Sequence, residues 1–443
     1  QRHALSTCAP CRGSKEMAEI GSDAALEPVT LAAVDAVLIA AYFVMVAAVG
    51  FWAWLKERRG ARAAEANNTA SSSDDFFLAG RSMKWPAIGL SLFVSNIGSE
   101  HLVGLAGSAA ATGVPVGFYE WSAGVHILVL GWLFAPIYLR ARISTLPEYL
   151  ERRYSRRLRV MLSVVSLFIY VFTKLSVSVF SGATVLRVVF GWPLLWCAVG
   201  LVVLTAAYTV LGGLAAVIYT DMAQSVVLLV GAACMMAAGL DKVGGLSGLM
   251  ATPPAGLSAA EWNRFFHMYR PPDDPYYPTL GMLLGTNVGG LWYWCLDQAI
   301  AQRVLAARDV HHARAATVFA GYLKLTPIFL MVLPGIVARA LFADELAGNT
   351  NSALPLMMKR LLPPGILGLM LAATVAACMS SLDSVFTAAA SLFCIDLWKG
   401  VLRPRASGRE LVAVGRVFCV VLAVVTILWL PVIELLSDQV FVY

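Results

Sequence analysis

The chain has 443 residues, of which 59% are hydrophobic and only 14% charged, with a net charge of +6. Soluble domains carry about 25% charged residues, so this composition excludes an ordinary soluble enzyme or binding module and reads as a membrane protein. The basic residues fall in short loops between apolar runs, which argues against nucleic acid as a partner and leaves the lipid bilayer as the first one.

The first 28 residues lack the compact apolar core of a cleavable signal. This tail holds C-A-P-C (Cys8 and Cys11), a lone pair without the second half of a zinc site, while the other six cysteines lie in apolar spans and read as small hydrophobes. Ten hydrophobic segments follow, at about 30–55, 84–108, 116–139, 158–188, 192–212, 222–240, 276–302, 314–342, 364–395 and 411–434. Each is long enough to cross roughly 30 Å of hydrocarbon as a helix, and no barrel-strand alternation is present, so the expected class is an all-α polytopic membrane protein. The chain opens on Gln1 and stops at Tyr443 directly after a span, which reads as a fragment.

Loop charges orient these spans. K-E-R-R-G-A-R follows the first segment, a run of arginines joins the third and fourth, R-V-L-A-A-R-D-V-H-H-A-R joins the seventh and eighth, and W-K-G-V-L-R-P-R-A-S-G-R joins the last two. The four basic loops alternate with poorer ones, so the positive-inside rule makes them cytoplasmic and places the N-terminus outside. The loop 56–83 is then cytoplasmic, so the N-N-T sequon at Asn67 is not expected to carry a glycan. The loops 241–275 and 343–363 become extracellular.

Two spans are interrupted. In the second, S-N-I-G-S-E-H (95–101) puts Asn96, Glu100 and His101 mid-span, where an ionised side chain costs at least ~2.5–3.5 kcal/mol. In the seventh, G-T-N-V-G-G (285–290) precedes L-W-Y-W-C-L-D-Q. Interruptions five spans apart suit a transporter of two five-helix repeats, each opening on a discontinuous helix whose bare carbonyls and half-helix ends face a cation and a substrate. In the ninth segment Ser380, Ser381 and Ser384 share a helical face, a set of hard oxygens suited to Na⁺. These serines lack a His or Lys base at helical spacing, so an intramembrane enzyme is not expected.

F-F-L-A-G-R-S-M (76–83), S-N-I-G-S, T-L-P-E-Y-L (145–150), Y-T-V-L-G-G-L-A-A-V-I-Y-T-D (208–221), L-W-Y-W-C-L-D-Q, G-Y-L-K-L (321–325) and M-S-S-L (379–382) together resemble the sodium:solute symporter family, and within it the sodium/glucose cotransporter branch. The resemblance implies a leucine-transporter-like fold: an extracellular tail 1–29, a leading helix 30–55, a cytoplasmic linker 56–83, a first inverted repeat 84–240, an extracellular loop 241–275, and a second repeat 276–443 that stops before its last core helix. It also implies sodium-coupled symport of a hexose or polyol across the plasma membrane, with a sugar-gated sensor or leak of the same fold, or a sodium symporter for a non-sugar solute, as the alternatives. Carried over residue by residue, it places sodium on the backbone of Val94 and Ile97 with Ala377, Ser380 and Ser381. The sugar contacts fall on Asn96, His101, Glu120, Tyr293, Trp294 and Lys324. Na⁺ is the coupling ion, no organic cofactor is expected, and a small accessory membrane subunit is left open.

The chemistry of these six is compatible with a sugar. Asn, His, Glu and Lys can each partner a hydroxyl that both donates and accepts, and an aromatic ring can cover a C–H face as a stacking gate. Lys324 and Glu120 together favour a sugar or polyol over choline or a monocarboxylate, although a mutual ion pair reads equally well. Asp221 has two readings, a coupling residue or a cap and partner for a loop arginine. Two residues depart from the branch: Glu100 stands where Gly is typical, and Asp383 where Thr is. Asp383 and Asp221 are expected to shape a second cation or proton site, while Glu100 pairs with either His101 or Lys324.

Overall fold

The structure, a computed structural model, describes residues 31–66 and 73–440. Cys8, Cys11, Asn67 and the tail 1–29 lie outside the described residues. Among the described residues the secondary structure is helical, and seven helices are long and apolar enough to cross a membrane, or eight if a bent pair counts as one span. In chain order the main helices are α1 (Ala33–Ala66), α2 (Trp85–Val94), α3 (Ser99–Thr112), α4 (Val114–Ala141), α5 (Arg156–Arg187), α6 (Leu194–Lys242), α7 (Thr279–Leu291), α8 (Gln298–Leu305), α9 (Val310–Leu341), α10 (Ile366–Leu402) and α11 (Gly408–Val440).

At 49 residues α6 would run about 73 Å if straight, more than twice the hydrocarbon thickness. It is two spans in one ladder, divided at Gly213, whose φ of +54° only glycine adopts cheaply. A side chain there would also meet the Phe76 carbonyl oxygen at 2.7 Å. The fifth and sixth expected segments fall on either side of this residue.

Polar residues at helix starts fix where helices begin. Thr145 and Ser155 accept the backbone N–H groups of Glu148 and Leu158, and Asp309 accepts that of His312. Each satisfies a donor that the first turn leaves orphaned.

The centre of the bundle is α10, buried along nearly its whole length and packed between α6 and α1. Its hydroxyls are tolerated there because most bond back to the preceding turn, as Thr374 does to Met370 O at 2.9 Å and Ser391 to Thr387 O at 2.8 Å. The outward helices carry large apolar side chains in the open, including Val44 and Phe51 on α1, Phe168 on α5 and Leu428 on α11. In a bilayer these faces meet lipid rather than water.

One end of the bundle is covered by the segment between α6 and α7. Gly113 (φ +90°) follows α3, and a side chain on it would lie 2.2 Å from the Phe265 carbonyl oxygen, which instead accepts Val114 N–H at 2.8 Å. Trp262 is buried beneath and donates to Leu249 O at 2.8 Å. Ser258 and Glu261 cap the short helix that carries this tryptophan, and the Ser258 backbone N–H holds the Glu261 carboxyl below the usual carboxylate range.

Candidate functional site

The site forms where two helices break. Between α2 and α3 the chain turns by 56° over residues 95–98. Ile97 N–H reaches back to Val94 O at 2.9 Å, and Gly98, in extended conformation, starts the next ladder by accepting His101 N–H. Asn96 and Ile97 therefore stand between two ladders, with carbonyls that neither helix uses.

The second break differs from the sequence expectation. G-T-N-V-G-G (285–290) stays helical within α7, and the chain opens seven residues later, at Asp297 (φ −81°, ψ +129°). A glycine costs a helix only about 1 kcal/mol, too little to open a ladder where no water waits for the backbone. Asp297 supplies the missing partner: its carboxylate accepts Ala299 N–H at 2.8 Å and so caps α8. The glycines serve another purpose, because Gly285 and Gly289 have open space where a side chain would stand, and with Gly281 they form a smooth wall of the cavity.

That cavity has a volume of about 790 Å³ and is lined by residues of the 95–98 break, of α3–α5, α7, α8 and α10, and of the segment joining α7 to α8. Its upper part reaches Tyr276 and Pro278, at the end covered by the α6–α7 segment. Its wall includes Asn96, His101, Glu120, Tyr293 and Trp294, and Lys324 lies directly behind. Lys324 is fully buried, and its ammonium donates to Glu120 Oε2 at 2.6 Å and to Asn96 Oδ1. It also stands 5.3 Å from the centre of the Trp294 ring. Asn96 donates in turn to Tyr293 OH at 3.1 Å, and His101 Nε2 is 4.0 Å from Glu120 Oε1. Of the six expected sugar contacts, Asn96, Glu120, Tyr293 and Lys324 are joined by hydrogen bonds, Trp294 packs its ring against Lys324 and Tyr293, and His101 stands beside Glu120.

The mutual ion pair of Glu120 and Lys324 is thus present, and it is part of the cavity wall rather than an alternative to it. Glu100 pairs with neither partner closely: His101 Nδ1 is 3.8 Å from Oε1, which accepts Ser178 Oγ at 3.2 Å. The two aromatic neighbours differ in placement. Trp294 is buried against Lys324, whereas Tyr293 is half-buried and crosses Trp294 edge-to-face at 5.3 Å.

The expected sodium oxygens converge on the other side of the first break. Ser380 Oγ lies 3.2 Å from Val94 O and 3.0 Å from Ala377 O, and Ile97 is fully buried beside them. Ser381 Oγ lines the cavity, is buried, and makes no hydrogen bond within the protein. An orphaned hydroxyl near the Ser380 hydroxyl and the Val94 and Ala377 carbonyls, which have lone pairs to share, is a donor set of hard, neutral oxygens, and it fits Na⁺. Among the described residues no cluster of three His, Cys, Asp or Glu side chains is placed to hold a metal.

Below Ser381 and Ser384 lies a fully buried charged cluster. Asp221 Oδ2 accepts Ser91 Oγ at 2.5 Å, Ser95 Oγ at 3.2 Å and the Arg303 guanidinium at 3.4 Å. Arg303 also donates to Ser91 Oγ at 3.0 Å, to Ser384 Oγ and to Ala299 O. Asp383 accepts Tyr208 OH at 2.6 Å and lies 3.3 Å from Ser384 Oγ.

Sequence reasoning treats Arg303 as the first residue of a cytoplasmic loop. The structure buries it completely in α8, where it is the arginine that pairs with Asp221. Sequence reasoning also misses Lys174, which bonds Asp297 at 2.6 Å and sits 4.8 Å over the Tyr293 ring, and His126, bonded to Asn287 at 3.0 Å on the cavity wall. Lys174 is open to discovery from sequence, since a lysine in the middle of an apolar segment carries the same signal as Glu100.

The model of the sodium:solute symporter family matches residues 76–443. The chain is 42% identical to the sodium/glucose cotransporter 4 of Danio rerio over 440 residues, covering 94% of this chain and 65% of that protein. It is 41% identical to the sodium/myo-inositol cotransporter of Mus musculus over 448 residues (93% and 61%) and 42% identical to the sodium/myo-inositol cotransporter 2 of Homo sapiens over 435 residues (92% and 63%). The chain thus spans less than two thirds of the length of these relatives. Among solved structures, a Na⁺-coupled sialic acid symporter in a substrate-bound outward-open state superposes with a TM-score of 0.81 at 20% identity, covering 91% of this chain and 83% of that one. The fold is accordingly the leucine-transporter-like one. The chain belongs to the sodium:solute symporter family.

Proposed function

We propose that this chain carries out sodium-coupled symport of a hexose or polyol across the plasma membrane by alternating access, with its N-terminus outside. The observation that carries the reading is the meeting of Asn96, His101, Glu120, Tyr293, Trp294 and Lys324 on one cavity at a helix break, beside the oxygens of Val94, Ile97, Ala377, Ser380 and Ser381. Similarity to sodium/glucose and sodium/myo-inositol cotransporters supports both the ion and the solute class. The basic loops support the orientation, and a cavity reaching Tyr276 and Pro278 then faces outward.

Na⁺ supplies the coupling force, and its ligands would be the Ser380 and Ser381 hydroxyls with the three carbonyls. The chain's own residues do the rest. Asn96 joins the two sites, since its side chain bonds Lys324 and Tyr293 while its backbone lies in the break that bears Val94 and Ile97. Ordering the break from the sodium side therefore sets the hydrogen-bond wall that meets the sugar. Differential affinity for one state is what such coupling requires, because equal affinity shifts nothing. One charge crossing 100 mV yields about 2.3 kcal/mol, enough for roughly 40–50-fold accumulation.

Uptake and current in voltage-clamped cells, over hexoses and polyols with and without Na⁺, test this reading on the full-length protein. Sodium-dependent current with at least one of them is the expected result, and none with any of them overturns it. Ser380→Ala is expected to raise the half-saturating sodium concentration about tenfold or more, the size of one lost charge-assisted ligand.

Asp221 and Asp383 share one arginine, which leaves a carboxylate over. We infer a second cation or proton there, moved with the first. Asp383→Thr is expected to lower the ratio of charge to solute taken up. An unchanged ratio removes the second site.

A further inference from the structure

The charges around the cavity do not cancel, and the surplus falls on Glu100. Lys324 is matched by Glu120 at 2.6 Å and Lys174 by Asp297 at 2.6 Å, so both lysines are committed. The deeper cluster of Asp221, Asp383 and Arg303 has its own surplus carboxylate, against which a coupling cation is balanced. At close range Glu100 has the His101 imidazole at 3.8 Å and the Ser178 hydroxyl at 3.2 Å, Lys174 senses its charge from farther away, and its Oε2 is buried with no hydrogen bond among the described residues. Its side chain keeps 28% of its exposure, against 5% for Glu120 and none for Lys324, so of these three it presents the most surface to the cavity. It stands in the first turn of α3, where the helix dipole favours negative charge, and its carboxylate folds over Gly98, where a side chain would overlap it.

We propose that Glu100 is a charge-selectivity residue, which admits neutral and cationic polyhydroxylated solutes and rejects anionic ones. The inference rests on the sugar or polyol reading of the cavity and adds to it the charge that the solute must have. A free carboxylate is an acceptor only, so it takes hydroxyl or ammonium donors and offers nothing to a second carboxylate. Two like charges within about 5 Å, in a medium between water and protein interior, separate the affinities of a uronate and its neutral parent roughly tenfold or more.

The test is competition by glucose, myo-inositol, glucuronate and glucosamine (the last in mildly acidic buffer) against uptake of a labelled neutral polyol in the full-length protein. The wild type should bind glucuronate at least about tenfold more weakly than the better neutral probe, and glucosamine better than glucuronate. Glu100→Gln should narrow the glucuronate gap several-fold. The ratio is read within each protein, so a change in absolute rate does not enter. An equal gap in both proteins, or a wild type that binds glucuronate as well as the neutral probes, overturns the proposal. Where Glu100→Gln does not reach the surface, the same ratio is read on the purified variant by thermal stabilisation, and an unchanged ratio overturns the proposal. Thermal stabilisation of the purified protein by the same four solutes reads this ratio without transport, so a failure of sodium-coupled uptake and a failure of charge selection appear in separate measurements.

Discussion

Lys324→Ala is expected to reduce sodium-dependent solute uptake by about 100-fold or more and to lower the amount of folded protein. Lys324 is fully buried and Glu120 nearly so, and removing one member of a buried pair leaves an uncompensated charge at a cost of about 3–5 kcal/mol. That is a large share of the roughly 5–15 kcal/mol by which folded proteins are commonly stable. The loss extends beyond the pair, because Lys324 also donates to Asn96, whose amide donates to Tyr293. Stability and function can be separated with the double variant Lys324→Met with Glu120→Leu, which replaces both charges by apolar groups of similar volume. Such replacement of a buried pair is often neutral for stability. The double variant should therefore regain surface abundance while remaining inactive, because the wall has lost a carboxylate acceptor and the ammonium that orients Asn96. Uptake normalised to surface-labelled protein checks both halves. Wild-type uptake by the double variant would make the pair a purely structural device.

The legible parts of the molecule are those in which a residue type conflicts with its solvent. Asn96, Glu100 and His101 are conspicuous because an apolar span has no use for them, and the structure places a 56° bend there. Asp297 lies within L-W-Y-W-C-L-D-Q, yet the neighbouring glycines draw the expected break to 285–290. In this segment glycine marks permission to bend, whereas the helix opens where the Asp297 side chain replaces the lost backbone partner. The interior charges are harder to read. Arg303 follows the expected end of the seventh segment by one residue, and sequence spacing alone cannot tell an arginine just outside a span from one that turns inward. Its neighbours Ser91, Asp221 and Ser384 come from three other helices, so the pairing is a property of the fold and of no local window. The face of Ser380 and Ser381 is visible from spacing, but its partner Val94 O sits 286 residues earlier in the chain.

Arg303→Gln is expected to abolish transport and to destabilise the protein about as much as loss of Lys324. Its guanidinium bonds Ser91, Asp221, Ser384 and Ala299 O at once, which ties the end of α2 and the second half of α6 to α10 and to its own helix α8. Without it Asp221 and Asp383 face each other with no fixed cation, and Asp221 Oδ1 already lacks a hydrogen-bond partner. Arg303→Lys should not rescue, since an ammonium lacks the planar fork that reaches several oxygens in fixed directions. Arg303→Gln with Asp221→Asn removes one charge of each sign, and it should recover much of the thermal stability in detergent. Recovery of transport is not expected, because the four tied elements include both the break-bearing helix α2 and the serine-bearing helix α10. If those helices must move together for sodium binding to order residues 95–98, then the arginine that joins them is where coupling is enforced, and neutralising the charge alone leaves the joint open. A double variant that regains both stability and sodium-dependent uptake would show instead that Arg303 serves only to balance Asp221.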